Sequence, residues 1–586
     1  MRTGTLAGLR AFALGLTILF VNMCYAQFNA NIQGSVQDPS GAVVPNASVE
    51  LQSQSTQQSQ VTKTDGDGNF KFVTLPPGGY KVMVTATGYS SAQVNITLLT
   101  EQNLNVPITL KVGSVSEAIT VTTEAPVVDT ADSRTQMTLQ NQAVAELPIV
   151  GRNLVTLVTM APGASGLGTS ASGSPASGVD NFSTEEQVDA SANGQGQNNN
   201  QYVVDGLDVT SGIRQGVLNL TPQPEAIQET SIQVNTFASD YSRAAGLQTV
   251  FTTRSGTDQI HGVVSDYFNY QKMFASQHFV GFPYKPFHSN NMDFAIGGPV
   301  IPHKGLYFYF AVEPLRSSSS AGNSVTFADP QFIAFAQANY PNTVGTHVLS
   351  TYLPTGVVGA TVSQTAQQIF GSAAGGCGTT PGQNGVPCAL PLIDSGSYGA
   401  TSIRNGTQYF GRIDQAFKND RVYASIFRTL LLTGAPSAMP QFSALNNTWQ
   451  VAGQASWTHT FSPGTLNDFT AGVSRVEGVL GSGAKDYTVP SISVSGINVD
   501  AGQAYGVGFA QGDFIQHNYH WRDVLTHVQG THTLKIGYEG WYGDDVEPFQ
   551  GPWSQPKFSF DNLLKLAQDA PTTENGIYYN PQTGTE

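Results

Sequence analysis

Long stretches of the C-terminal half alternate apolar and polar residues at every second position. Val451, Gly453, Ala455, Trp457, His459 and Phe461 share one face of an extended chain, with Ala452, Gln454, Ser456, Thr458 and Thr460 on the other. Pro463-Gly464 then turns the chain, and Phe469, Ala471 and Val473 oppose Asp468, Thr470, Gly472 and Ser474. Leu534, Ile536 and Tyr538 likewise oppose Thr533, Lys535, Gly537 and Glu539. A period of two is that of a β-strand. Strands of about 10 residues, apolar outward and polar inward and joined by tight turns, form the pattern of a membrane β-barrel. A soluble sandwich has the same period, so the strand length, aromatic runs such as Leu306-Tyr307-Phe308-Tyr309-Phe310 and long loops on alternate sides decide for the barrel. Ser317–Asn405 reads as the longest loop. About nine strands can be counted after Arg254, whereas large closed membrane barrels have about 22. The expectation is an incomplete antiparallel transmembrane β-barrel over 254–586, in a truncated product or a fragment.

The same period appears near the N-terminus in a shorter form. Val82, Val84, Val94, Ile96 and Leu98 alternate with polar or small residues, and turn clusters such as Asp65-Gly66-Asp67-Gly68-Asn69 and Pro76-Pro77-Gly78-Gly79 separate the runs. This predicts a small β-sandwich over 27–112. Asp65-x-Asp67-x-Asn69 imitates the start of a calcium loop, but Phe70 stands where glycine is needed and Pro76 where glutamate is needed, so a tight turn is expected instead. Residues 113–140 form a linker in which Ile119 and Val121, among threonines, have strand propensity, while Pro126 and polar neighbours give no core. Between linker and barrel, 141–253 reads as a small mixed α/β domain. At its centre a loop, Asn193-Gly194-Gln195-Gly196-Gln197, precedes Tyr202-Val203-Val204-Asp205-Gly206-Leu207-Asp208-Val209, whose Asp205-Gly206 pair is a turn signal. Gly163–Gly178 is a low-complexity Ser/Gly/Ala insert, expected to be mobile.

Composition narrows the classes. The 586 residues are 40% hydrophobic and only 11% charged, with 62 glycines, which suits an all-β protein better than a helical enzyme. A net charge of -15 without any basic cluster argues against nucleic acid as a partner. Arg2 and Arg10, the apolar run 11–21 and Ala26 make a signal peptide over 1–26; Cys24 is not read as a lipidation site, because Asn22-Met23 lacks the small residues that cleavage prefers. No other apolar run reaches the roughly 20 residues of a membrane helix, so any spanning part must be a barrel. After cleavage Cys377 and Cys388 remain, flanking a turn-rich loop, and in an exported chain they are expected to pair.

Enzyme motifs are missing. The ten histidines form neither H-E-x-x-H nor H-x-x-E, and no G-x-S-x-G elbow or G-x-x-x-x-G-K phosphate loop occurs. Gly194-x-Gly196 starts a dinucleotide fingerprint that fails at Asn199. His517, His520 and His527 read as barrel residues rather than metal ligands. Neither catalytic residues, a metal nor a cofactor is called for.

Several segments around the central loop stand in a telling order. They are Glu146-Leu147-Pro148-Ile149-Val150-Gly151-Arg152-Asn153-Leu154, the Asn193–Val209 centre, Pro224-Glu225-Ala226-Ile227-Gln228-Glu229, Asp240-Tyr241-Ser242-Arg243 and Arg254-Ser255-Gly256-Thr257. This order resembles the plug of TonB-dependent outer-membrane receptors, nearest the Oar-like subgroup with an N-terminal carboxypeptidase-regulatory-like (transthyretin-like) domain. Thr64-Asp65-x-x-Gly68-x-Phe70 and Pro77-Gly78-x-Tyr80 match the turns of that domain. The resemblance implies a plug over 141–253 inside the barrel, in the outer membrane of a Gram-negative-type cell, and energy-coupled uptake of an unknown extracellular ligand. It makes Arg152, Asp205, Gly206, Arg243 and Arg254 plug-motif residues. Arg152, Arg243 and Arg254, with Glu225 and Glu229, are either ion pairs holding the plug to the wall or solvated charges. Glu117, Ala118, Ile119, Thr120, Val121 and Thr122 are either a TonB box, contacting TonB, or a plain linker. The remaining alternative is an exported adhesive or glycan-binding β-protein without transport.

Overall fold

The computed structural model describes residues 30–113, 119–121, 135–140, 147, 151–168, 180–184, 186–235, 244–273, 287–302, 304–462, 464–480, 489–499, 504–506, 512–529, 532–546, 556–574 and 577–578. The leader, Glu117, Ala118, Thr122 and Arg243 lie outside these residues.

Nine short strands build the N-terminal part: β1 Ala30–Gln37, β2 Ser48–Ser53, β3 Ser59–Lys63, β4 Asn69–Leu75, β5 Gly78–Thr85, β6 Ala92–Leu98, β7 Asn103–Asn105, β8 Ile108–Thr109 and β9 Ile119–Val121. One sheet has the order β4-β1-β7, with β8 also on β1, and the other β3-β2-β5-β6-β9. Alternate residues such as Ile32, Val49, Leu51, Phe72, Val82, Val84 and Leu98 are buried between them. The Asp65 carboxylate accepts from the N–H groups of Asp67 and Asn69, at 3.0 and 2.8 Å, which closes the β3–β4 turn.

The central part contains β10 Thr135–Gln140, β11 Ala164–Gly168, β12 Glu186–Gln187, β13 Asp189–Ala192, β14 Gln201–Val204, β15 Leu207–Asp208, β16 Val217–Leu218, β17 Ile227–Asn235 and β18 Gln248–Thr253. Its main sheet runs β10-β17-β18-β14-β15, with only the β14–β18 pair parallel. Tyr202, Val204, Ile232 and Phe251 bury one face against Leu154, Leu157 and Val158. Among the described residues of 141–253 every helical turn is 3-10: Leu154–Met160, Gln197–Asn199 and Pro224–Ala226. Valines and threonines in Leu154–Met160 lose rotamer freedom in a helix, and that turn depends on Asn153, whose side chain accepts from Val155 N–H. Of the low-complexity insert, Ala164–Gly168 is strand, paired with β13.

From His261 the chain makes a long antiparallel meander. Its nine long strands are β19 His261–Tyr270, β20 Phe287–Ile301, β21 Leu306–Ala328, β23 Pro391–Ala416, β24 Asp420–Ala435, β25 Ala444–Ser462, β26 Thr465–Leu480, β28 Gly512–Gln529 and β29 His532–Val546, with β22 Val357–Thr365 paired on β23. Among the described residues β19 and β29 are the two edges. The alternation read from the sequence sorts as expected in β25 and β26: Ala452, Gln454, Ser456 and Thr458 are buried toward the central part, whereas Ala455 and Val473 are exposed on the outer face; the edge strand β29 is exposed on both faces over 532–538. The outer face is therefore the one suited to lipid.

Ser317–Asn405 departs from its reading as a loop. β21 and β23 pair without a break from Leu306↔Gln415 to Ala328↔Ile393, so the serine run Ser317–Ser320 lies within a ladder. Small polar residues signal a loop, but paired backbone needs no apolar side chain once the strands stand clear of lipid. Beyond them the helices Pro330–Asn339, Val344–Thr351 and Ala366–Phe370 pack with β27 Ser491–Val494, β30 Lys557–Phe560 and the helix Leu563–Ala567. Phe332, Leu349, Leu392, Met439, Ile492, Tyr505 and Leu563 give this cap its own core. The cap sits at the end of the long connections, opposite the tight turns near Gly305, Lys418 and Gly464. Among the described residues no helix is long and apolar enough to cross a membrane, which says nothing of strands.

Candidate plug latch and coupling segment

The Asp205-Gly206 turn joins β14 to β15 with positive φ at both residues, 44° and 90°, the backbone that Asp-Gly favours in tight hairpins. The turn aims Asp205 at the barrel wall. Its carboxylate accepts from Thr253 N–H at 2.8 Å, from the Thr253 hydroxyl and from Arg412 Nη1 at 2.9 Å. Arg412 also grips Asp414, with Nη2 to Oδ1 at 2.7 Å, and lies 4.1 Å over the Tyr423 ring, whose hydroxyl donates to the Asp205 carbonyl at 3.0 Å. Burial pushes the Asp205 carboxyl above its ordinary range, and the Arg412 charge and Thr253 hydrogen bonds oppose that. Arg412 and Asp205 are each 5% exposed, so Arg412 is the charge that replaces water for Asp205, while Asp205 and Asp414 together replace it for Arg412.

A second latch surrounds Arg152. Gly151 and Arg152 both have positive φ, 65° and 57°, which swings the guanidinium toward β20 and β21. It bonds Asp293, approaches Glu313 at 3.5 Å and Glu225 at 3.8 Å, and lies 3.8 Å from the Tyr267 ring centre. Burial acts to lower the Arg152 pKa, but the Glu313 and Asp293 carboxylates outweigh it and leave it raised. Asn181 donates to Glu313 at 2.7 Å. Arg404 of β23 binds Asp180 at 2.6 Å. Arg254 stands farther from its carboxylate, 3.8 Å from Glu225.

Glu229 faces the other way. Its carboxylate accepts from Thr100 N–H at 2.6 Å and the Thr100 hydroxyl at 2.7 Å, on the turn after β6. It therefore meets the N-terminal sandwich rather than the wall. Arg412, Asp414, Asp293, Glu313 and Arg404 were not singled out in the sequence. Their signal was charge at inward positions of the strands, beside buried aromatics such as Tyr309 and Phe410.

The coupling candidate lies on the sandwich. Ile119, Thr120 and Val121 form β9, parallel to Ala92, Gln93 and Val94 of β6. Cys377 and Cys388 are bonded in the cap, Cα to Cα 4.9 Å, with Cys377 fully buried. His517 and His520 each have a separate carboxylate partner, Asp544 and Glu539, both at 2.8 Å. Among the described residues no three His, Cys, Asp or Glu side chains gather as a metal site.

A plug pinned by buried ion pairs inside a lipid-facing antiparallel wall, with a sandwich at its tight-turn end, defines an outer-membrane β-barrel protein. The family model "Outer membrane beta barrel domain" matches residues 252–579, and the chain belongs to that family. "Carboxypeptidase regulatory-like domain" matches 31–111. The chain is 24% identical over 273 residues to the TonB-dependent transporter Oar of Myxococcus xanthus, covering 44% of this chain and 22% of that protein. Among solved structures it is similar to the outer membrane transporter YddB from Escherichia coli, with 9% identity and TM-score 0.46 over 73% of this chain and 50% of that one. The ferric enterobactin receptor PfeA from Pseudomonas aeruginosa, in complex with enterobactin, gives 14% identity and TM-score 0.40 over 72% and 51%. The chain thus spans about a fifth of the curated relative and about half of these solved chains.

Proposed function

We propose that the protein works as a TonB-dependent transporter, taking up an extracellular ligand across the outer membrane, and that it is not an enzyme. One observation carries this reading: the lumen of the sheet is filled by a separate small domain, pinned to the wall by the buried ion pairs Arg412–Asp205 and Arg152–Asp293 and packed against Tyr309, Phe410 and Phe427. Ligand binds on the cap side, and TonB grips Glu117–Thr122 on the opposite side. Support for that contact is the extended backbone at 119–121, at the edge of a sheet where a further strand can add by main-chain hydrogen bonds alone.

Binding of a Ser114–Pro126 peptide to the periplasmic domain of the cognate TonB tests the contact. Val121→Pro removes a donor from the ladder and is expected to weaken binding at least tenfold, while Thr123→Ser leaves it unchanged. Equal binding by the Val121→Pro peptide would reduce the segment to a linker.

A further inference from the structure

One face of the plug sheet is polar and nevertheless buried. Glu229, Ser231 and Gln233 of β17 lie beside Thr252, Val250 and Gln248 of β18, and Gln248 lies beside Gln201 of β14. None of these seven is more than 5% exposed. The carboxamides stand in register, Gln136↔Gln233↔Gln248↔Gln201. Among the described residues both side-chain ends of Gln248, and the oxygens of Gln136, Gln233 and Gln201, have no hydrogen-bond partner. A sheet face that never leaves the interior is normally apolar, because each unmatched polar group costs its hydration. Such a face is suited to a sheet that meets water in another state.

The lid over this face is the turn after β6. Besides the Thr100 contacts with Glu229, the Thr100 and Thr252 hydroxyls are 3.0 Å apart. Glu101, 2% exposed and held at φ 62°, accepts from Gln233. Further out the sandwich touches the rim through Ser55 O to Asp258 N at 3.1 Å, Thr56 O to Tyr307 at 3.3 Å and Lys71 to Thr533 at 2.6 Å. Each of these contacts is a hydrogen bond that water can replace.

We propose that the N-terminal sandwich is a removable gate over the polar face of the plug, closed by the Thr100-Glu101 turn. With the gate shut, β17 and β18 cannot rearrange toward the tight-turn side. With it open, the in-register carboxamides face water and line a hydrogen-bonding path. β9 is zipped to β6, six residues before Thr100, so a partner that grips the coupling segment also grips the gate. That last step rests on the transport reading, whereas the gate does not.

The test uses full-length protein in isolated outer membranes, with Thr252→Cys or, as a second reporter, Ser231→Cys. Both are close in size to the native residue, and Cys377 and Cys388 are already bonded. Labelling by a membrane-impermeant maleimide is expected to be at least 100-fold slower than at Gln60→Cys, an exposed control on β3. Adding Glu101→Arg, which forces a longer cation into the joint, should speed it at least tenfold. Amide exchange in β17 and β18 should rise in the same variant without any reporter cysteine. Fast labelling in the parent, or no acceleration of either readout by Glu101→Arg, would overturn the gate. In energised cells labelling should be faster with TonB than without it. A gate that responds to Glu101→Arg but not to TonB would leave the gate standing and remove the coupling reading.

Discussion

Against the wall, the plug's charges meet opposite charges: Asp205 meets Arg412 at 2.9 Å, and Arg152 meets Asp293 of β20, with Glu313 of β21 at 3.5 Å. Against the sandwich, the buried Glu229 is met by the N–H and hydroxyl of a single threonine, Thr100. Both joints bury polar groups. At the wall a full positive charge compensates the carboxylate, so separation exposes two ions that had replaced each other's water. At the sandwich only dipoles compensate it, so hydration of Glu229 repays the separation. Neighbouring faces of one small domain are thereby fitted for holding and for letting go.

The largest effect should come from breaking the wall side. Arg412→Met leaves Asp205 and Asp414 buried without their cation, a change that typically costs about 3–5 kcal/mol. Amide exchange in β14 and β18 should rise steeply, and trypsin should cut the plug while the barrel strands stay protected. Unchanged exchange would mean that Thr253 and Tyr423 alone hold the turn, and the contrast between the two joints would fail.

A covalent restraint elsewhere gives a measure for that loss. Replacing Cys377 and Cys388 by serine opens a short loop in the cap, worth roughly 3 kcal/mol in the chain-entropy model. The cap core around Phe332 and Leu349 should become protease-sensitive between 371 and 390, while the plug's exchange pattern stays as it was. Spread of the effect into β14 or β18 would show that cap and plug are one cooperative unit.

How much of this was legible follows from which residues carry a local signal. The period-two runs of β25 and β26 fixed strand faces because side-chain direction depends only on neighbouring residues. Asp205-Gly206 announced its turn for the same reason. The partner of that turn could not be read, since Arg412 lies 207 residues away and only the meander's register brings it near. Arg152 was found through its motif, but its acceptors Asp293 and Glu313 were hidden among inward polar positions that looked alike. Glu225 and Glu229 stand in one motif and read alike, as ion pairs with the wall or as solvated charges, yet only Glu225 faces Arg152 and Arg254. Glu225 sits in the 3-10 turn before β17 and Glu229 lies beyond the register shift at Ile227, so the two carboxylates part and Glu229 goes to the sandwich side. The paired serines of β21 were mistaken for a loop because composition reports solvation, and a ladder outside lipid is solvated too.

The smallest effect sharpens the sandwich side through pH. Burial holds the Glu229 carboxyl above its ordinary 4.5, and the Thr100 hydrogen bonds only partly offset this. A carboxyl whose value is raised in the docked state favours docking fully below the ordinary value. That contribution is lost as pH rises through the docked value, because the undocked chain then ionises at lower cost. The sandwich should therefore sit more firmly near pH 4.5 than at pH 8, the opposite of an ion-paired carboxylate. Fluorescence anisotropy of a dye at Gln60→Cys should fall across that range as the sandwich gains motion. Glu229→Gln keeps the shape and removes the ionisation, so it should flatten the curve at its acid-side level. A curve that kept its slope in Glu229→Gln would assign the pH response to another group, and Glu229 would no longer distinguish the sandwich joint from the wall.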